Sequence, residues 1–134
     1  MSSIIEKIKK IEKLYHAKGC TMKQIKEAQS ELEITFPEDY IDIVREYGAI
    51  SFYGTEWTGL NVGDYLNVVS VTKKEREING DFPPDFFVLE NQAIDGLIVI
   101  CNEKGEVFSL QYSKLERMHD SISDYLDECI QRSN

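Results

Sequence analysis

The sequence predicts an α+β fold of one domain, with helices packed on a twisted, mainly antiparallel sheet. Three observations carry that prediction. Apolar residues recur at helical spacing through the first third of the chain and again at its end. Between these stretches, from Ala49 onward, the pattern changes to short β-rich runs separated by Gly, Asn, Asp and Pro. The connections between most of those runs are short, which favours antiparallel neighbours with helices before and after the sheet. A length of 134 residues suits one hydrophobic core, and no linker, repeat or low-complexity stretch divides it, so the expected domain spans residues 1–134.

Each element has its own signal. Ser3-Ile4-Ile5-Glu6 has the capping-box form, and Ile4, Ile8, Ile11 and Tyr15 then recur at three and four, predicting a lysine-rich amphipathic helix that Gly19 stops. Thr21-Met22-Lys23-Gln24 repeats the capping box, and Met22, Ile25, Ala28 and Leu32 give a second helix. Phe36-Pro37-Glu38-Asp39 opens a third, with Pro at the first helical position, two carboxylates at the positive end of the dipole, and Gly48 as its stop. Strands are expected at 50–53, 56–60, 66–71, 86–89, 97–101 and 107–112. The last two are joined by Asn102-Glu103-Lys104-Gly105, a hairpin loop closed by a left-handed glycine. Thr72-Lys73-Lys74-Glu75 is read as the cap of a short helix, and Ile122, Tyr125, Leu126, Cys129 and Ile130 as the inward stripe of a terminal one after Ser121.

Composition excludes several classes. With 42% hydrophobic and 29% charged residues the chain is neither collagen-like nor wholly disordered. No apolar run approaches the roughly 20 residues that cross a bilayer, and lysines thread the first residues where a signal peptide would be apolar. The expectation is a cytoplasmic protein without a membrane partner. The net charge of −9 argues against a general nucleic-acid binder, because phosphate neutralisation needs clustered Lys and Arg. The charge is unevenly spread: residues 1–26 carry 7 basic and 2 acidic side chains, and residues 27–64 carry 1 basic and 9 acidic. An acidic body of this kind steers a basic protein partner, or is simply well solvated.

Catalytic signatures are sparse. Phosphate-binding glycine loops, the H-E-x-x-H pair and the G-x-S-x-G elbow do not occur. Cys20, Cys101 and Cys129 are too widely spaced for a zinc ribbon; the latter two read as core residues and Cys20 as a loop residue. His119 beside Asp120 has the residue types of an oriented base, but sequence neighbours rarely point at one site, and a thiol would still have to be exposed. The carboxylate groups, such as Glu38/Asp39/Asp42 and Asp124/Asp127/Glu128, fall on outward helical faces at these spacings. No cofactor, metal ligand or catalytic residue is therefore assigned.

The segment 51–65 stands apart. It holds Phe52, Tyr53, the only Trp (Trp57) and Tyr65, with Gly54, Gly59, Gly63 and the acids Glu56 and Asp64. Aromatic anchors with nearby carboxylates build protein-binding faces. Tyr53, Glu56, Trp57, Asp64 and Tyr65 are the candidate contact residues, with Glu38, Asp39 and Asp95 as steering charges. The same residues fit a second account, in which Trp57 and Phe52 are core strand residues and the glycines mark turns or bulges.

The order of features resembles the SUKH superfamily, which contains yeast cell-wall-synthesis regulators of the Smi/Knr type and many bacterial immunity proteins. The likeness rests on Ile25-Lys26-Glu27-Ala28-Gln29-Ser30-Glu31-Leu32 followed by Phe36-Pro37-Glu38-Asp39-Tyr40 and the helix to Gly48. Trp57-Thr58-Gly59-Leu60, Val68-Val69-Ser70-Val71-Thr72 with Arg76, Asp95-Gly96-Leu97 and Gly105-Glu106-Val107-Phe108 follow in the family's order. Tyr47-Gly48-Ala49 stands where the family often has Asn-Gly-Gly. The resemblance implies helices on an antiparallel sheet, no catalytic activity, and a protein partner. That partner is a cognate polymorphic toxin, often a nuclease with a basic surface, or for a scaffold module a cellular protein held through the basic first helix.

Overall fold

The computed structural model describes residues 3–132, and its caps show how far local sequence decides structure. Thr21 accepts from the Gln24 amide while the Gln24 side chain accepts from the Thr21 amide, so α2 (Met22–Leu32) starts on a complete capping box. Pro37 is the N-cap of α3 (Glu38–Tyr47), and the Gly48 amide closes it on the Val44 carbonyl. At the other end of the chain the Ser121 side chain caps α5 (Ile122–Gln131) by accepting from the Asp124 amide.

The first helix is shorter than the periodicity predicts. α1 covers Ser3–Lys9, so Ser3, expected as the cap, is instead the first helical residue. Lys13 takes a left-handed φ of 58°, and Tyr15–His16 become a short strand, β1, instead of a last helical turn. Tyr15 opposes Ser51 and His16 opposes Ile50 in β2 (Ile50–Phe52). Ladder bonds to a distant segment thus override a stripe that Ile11 and Leu14 still satisfy by packing against the core. Gly19, expected as a helix stop, instead allows a close approach, since a Cβ there would sit 2.2 Å from the Arg45 carbonyl oxygen.

A second correction concerns residues 66–71. In place of a strand they open α4 (Val68–Ile78), because the Asn67 side chain accepts from the amides of Val69 and Ser70 and nucleates the turn. Thr72 is consequently inside the helix and fully buried, where its hydroxyl accepts from the Val88 amide at 3.0 Å. The expected strand at 56–60 shortens to β3 (Thr55–Glu56), after which Thr58 donates to the Leu89 carbonyl at 2.8 Å and ties the two sheets together.

The larger sheet is a meander of β4 (Phe86–Ile94), β5 (Leu97–Asn102), β6 (Val107–Gln111) and β7 (Lys114–His119), all antiparallel. The predicted hairpin is present, with Gly105 at φ 83°. β7 has no alternating signal because it is an exposed edge, with charges that discourage further pairing. The smaller sheet runs β1-β2-β3. Register sorts the residues: Phe87, Leu89, Val99, Cys101 and Val107 face the main core, and Phe86, Val88, Ile98, Ile100 and Leu110 form a second cluster on the opposite face. The helices α1, α2, α3 and α5 supply most of the rest of the main core, joined by Ile50, Phe52, Trp57, Leu60 and Val68, and α4 lies against β4. The α+β expectation holds, with the strands divided between two sheets. No helix among the described residues is long and apolar enough to cross a membrane.

Candidate functional site

The small sheet builds a row of three side chains. Directly opposed residues of antiparallel strands project to the same face. Tyr15 opposes Ser51 and Ser51 opposes Glu56, so these three stand side by side, while Ile50 and Phe52 point into the core. Neighbouring strands lie about 4.8 Å apart, which places Tyr15 and Glu56 roughly 10 Å from each other with the short Ser51 between them. Tyr65 closes the recess from the following loop. The resulting hollow has a volume of about 300 Å³ and includes His16, Val62 and Leu66 in its lining. Tyr15 and Tyr65 are 73% and 74% exposed, which is unusual for rings that large. His16 is held beside them by a 2.7 Å hydrogen bond between Nδ1 and the Ala17 carbonyl and by an edge contact with Tyr47.

The loop that carries Tyr65 is pinned at many points. Leu60 donates to the Gly48 carbonyl, Val68 to that of Gly59, and Gly59 to that of Leu66. Asn61, at a left-handed φ of 61°, donates to the Lys18 carbonyl at 2.8 Å and accepts from Gln24 Nε2 at 2.8 Å. Backbones meet so closely here that a Cβ on Gly59 would lie 2.0 Å from the Gly48 carbonyl oxygen. The Tyr65 ring itself lies over Gly63. A face fixed before binding loses less entropy when a partner docks. Val62 also lines a wider groove of about 630 Å³ between α2 and the 60–70 segment, where Glu27 adds negative charge next to the aromatic recess and Glu31 pairs with Lys73 at 3.2 Å.

The eight residues expected at the interface separate. Glu56 and Tyr65 share the recess, and exposed Asp64 directly precedes Tyr65, 3.5 Å from the Ser70 hydroxyl. Tyr53 lines a different hollow, of about 310 Å³, with Lys7, Lys10 and Ile130. Glu38 and Asp39 begin α3, where partial burial and then the neighbouring charges of Asp42 and Glu38 push the Asp39 carboxyl above its ordinary range. Asp95 sits on the β4–β5 turn. Trp57 is 1% exposed and stacks on Tyr125 with ring centres 5.8 Å apart, so it follows the second account of its segment and offers no ring to a partner. Tyr15 and His16 belong to the recess although the sequence places them in a helix; a two-residue strand leaves no local signal.

Nucleophilic chemistry finds little support in the geometry. All three cysteines are buried, Cys20 included, although it lies in a loop as expected. Desolvation pushes the Cys129 thiol up to about 11 and the Cys101 thiol higher still. His119 Nε2 lies 2.8 Å from Glu128 Oε1, and Asp120 pairs instead with Arg117 at 2.7 Å. Among the described residues no group of three His, Cys, Asp or Glu side chains converges as cation ligands would.

No curated protein matches the chain. A family description does: that of SUKH_5, SMI1-KNR4 cell-wall, matches residues 1–131, nearly the whole chain and every element described above. The chain belongs to the SMI1-KNR4 family within the SUKH group.

Proposed function

We propose that this chain is an immunity-type protein that binds and neutralises a cognate polymorphic toxin in the cytoplasm, without turnover of its own. The observation that carries the reading is the preset recess of Tyr15, Ser51, Glu56 and Tyr65, in which exposed aromatic anchors surround a carboxylate on an acidic body. Asp64 extends the same face, and Tyr53, Glu38, Asp39 and Asp95 contribute contacts or steering charge from outside it. A nuclease fits such a surface well, because it presents Lys and Arg to phosphates and an acidic inhibitor covers that patch by complementarity. Protection of the producing cell calls for nanomolar or tighter binding, about −12 kcal/mol or better.

The alternative, a regulatory or scaffold module bound through the basic first helix, has fewer groups at its disposal. Lys7 is engaged by the Ser123 hydroxyl at 2.7 Å and by Asp127 at 3.0 Å, and Lys9 lies 3.8 Å from Glu6. The test is co-expression with the C-terminal domain of a candidate polymorphic toxin, followed by calorimetry. The domain should be toxic alone and tolerated in the presence of this chain. Tyr65→Ala and Glu56→Lys should each weaken the complex by more than about 1 kcal/mol. Charge reversal at Lys10 and Lys13 should leave affinity unchanged. A strong effect at the lysines with none at Glu56 would favour the scaffold reading instead.

A further inference from the structure

At the far end of α4 from Tyr65 the outer face of the large sheet is only partly covered. α4 shields β4, with Val71 packed on the cluster of Phe86, Val88, Ile98 and Leu110, but the helix ends at Ile78. Beyond it lies a hollow of about 450 Å³ floored by Ile98 and rimmed by Ile78 and Tyr112. Those two rim side chains are each 66% exposed, and half-exposed Leu115 adjoins through its pairing with Leu110.

Tyr112 is held in place. It has a left-handed φ of 57°, costly for a bulky residue, its ring lies against Gly96, and its carbonyl accepts from Asn79 Nδ2 at 2.8 Å. Glu75 and Asp81 are the charged residues that line the hollow, and no basic side chain joins them. Among the cations on the neighbouring segments, Arg76 donates to the Pro84 carbonyl and Lys114 pairs with Glu116 at 2.9 Å, while Lys74 offsets part of the Glu75 charge from the preceding position of α4.

We infer that the hollow between Ile78 and Tyr112 is a second docking surface, separate from the tyrosine recess, for a basic segment of a partner protein that inserts an aliphatic or aromatic side chain between flanking Lys or Arg. Charge complementarity selects that occupant. The apolar rim takes the anchor, and Glu75 and Asp81, with Asp95 on the adjacent turn, take the cations. A second copy of the chain is disfavoured because it brings another net charge of −9 to the same acidic rim.

The probe is a short acetylated peptide with a Leu-Trp pair flanked by arginines, titrated into the full chain while amide resonances are followed. Its counterpart with glutamates in place of the arginines serves as control. The basic peptide should shift Ile78, Ile98 and Tyr112, and Ile78→Ser and Asp81→Asn should each weaken it by about fivefold or more. Tyr112→Asn tests the ring without the backbone, since Asn tolerates the left-handed region. Any of the following overturns the inference: shifts spread evenly over every acidic surface, equal binding of the acidic peptide, no shift at these residues, or a concentration-dependent dimer that Tyr112→Asn abolishes. The toxin reading is untouched by such a result, because it rests on the tyrosine recess, whose lining shares no residue with this hollow.

Discussion

Glu90 is a carboxylate in an apolar setting. It is 4% exposed on β4, accepts from the Tyr125 hydroxyl, and lies 3.0 Å from Arg132 Nη2. The Trp57 indole N–H also favours its charged form without reaching hydrogen-bond geometry. Burial nevertheless dominates and raises its pKa above the ordinary 4.5. The folded chain therefore retains this proton after the unfolded chain has released it. The resulting stabilisation is complete below the ordinary value and is lost as pH rises through the raised one. Glu90→Gln should remove that decline, so urea midpoints of wild type and variant measured between about pH 4 and 8 should diverge above the ordinary carboxylate range; parallel curves would contradict the assignment. Trp57→Ala, next to the same cluster, should cost about 3–5 kcal/mol in urea denaturation through a cavity against Tyr125. The sequence offered two accounts of Trp57, and only its neighbours in space decide between them. A lone aromatic between glycines has the same local pattern whether it is an anchor or a core residue.

Secondary-structure elements divide by the origin of their signal. The cap at Thr21 is read directly, because its side chain and that of Gln24 three residues on satisfy each other's amides without help from the rest of the fold. α4 shows how a cap can outweigh propensity: Val68, Val69 and Val71 favour a strand, yet Asn67 turns them into the first turns of a helix. Asn67→Ala should therefore cost about 1 kcal/mol and Asn67→Ser much less, with urea denaturation as the measure. A larger loss would be expected if the unfolding of α4 also freed the Thr72 hydroxyl from the Val88 amide. β1 and β7 are the elements that local reading misses. One is two residues long and exists only through Ile50 and Ser51, and the other is an exposed edge with no buried face to impose alternation.

For the whole molecule, charge and shape act on different parts of association. On the proposed reading, a net charge of −9 would raise the encounter rate with a basic toxin over distances that salt screens, and the tyrosine recess would govern how long the complex lasts. Raising ionic strength should slow association with little change in dissociation, whereas Tyr65→Ala should do the reverse in the same surface-based kinetic measurement. Equal effects of both on the dissociation rate would remove this division of labour. By itself the sequence determined the fold class, the capping box at Thr21, the central hairpin, the family likeness and the acidic character, because these depend on residue type and short spacing. Tertiary structure alone decided that Tyr15 and Glu56 line one recess, that Trp57 is internal, and that Ile78 and Tyr112 share a hollow. Each of those facts joins segments distant along the chain, and strand register, which no local pattern encodes, sets which side chains share a face.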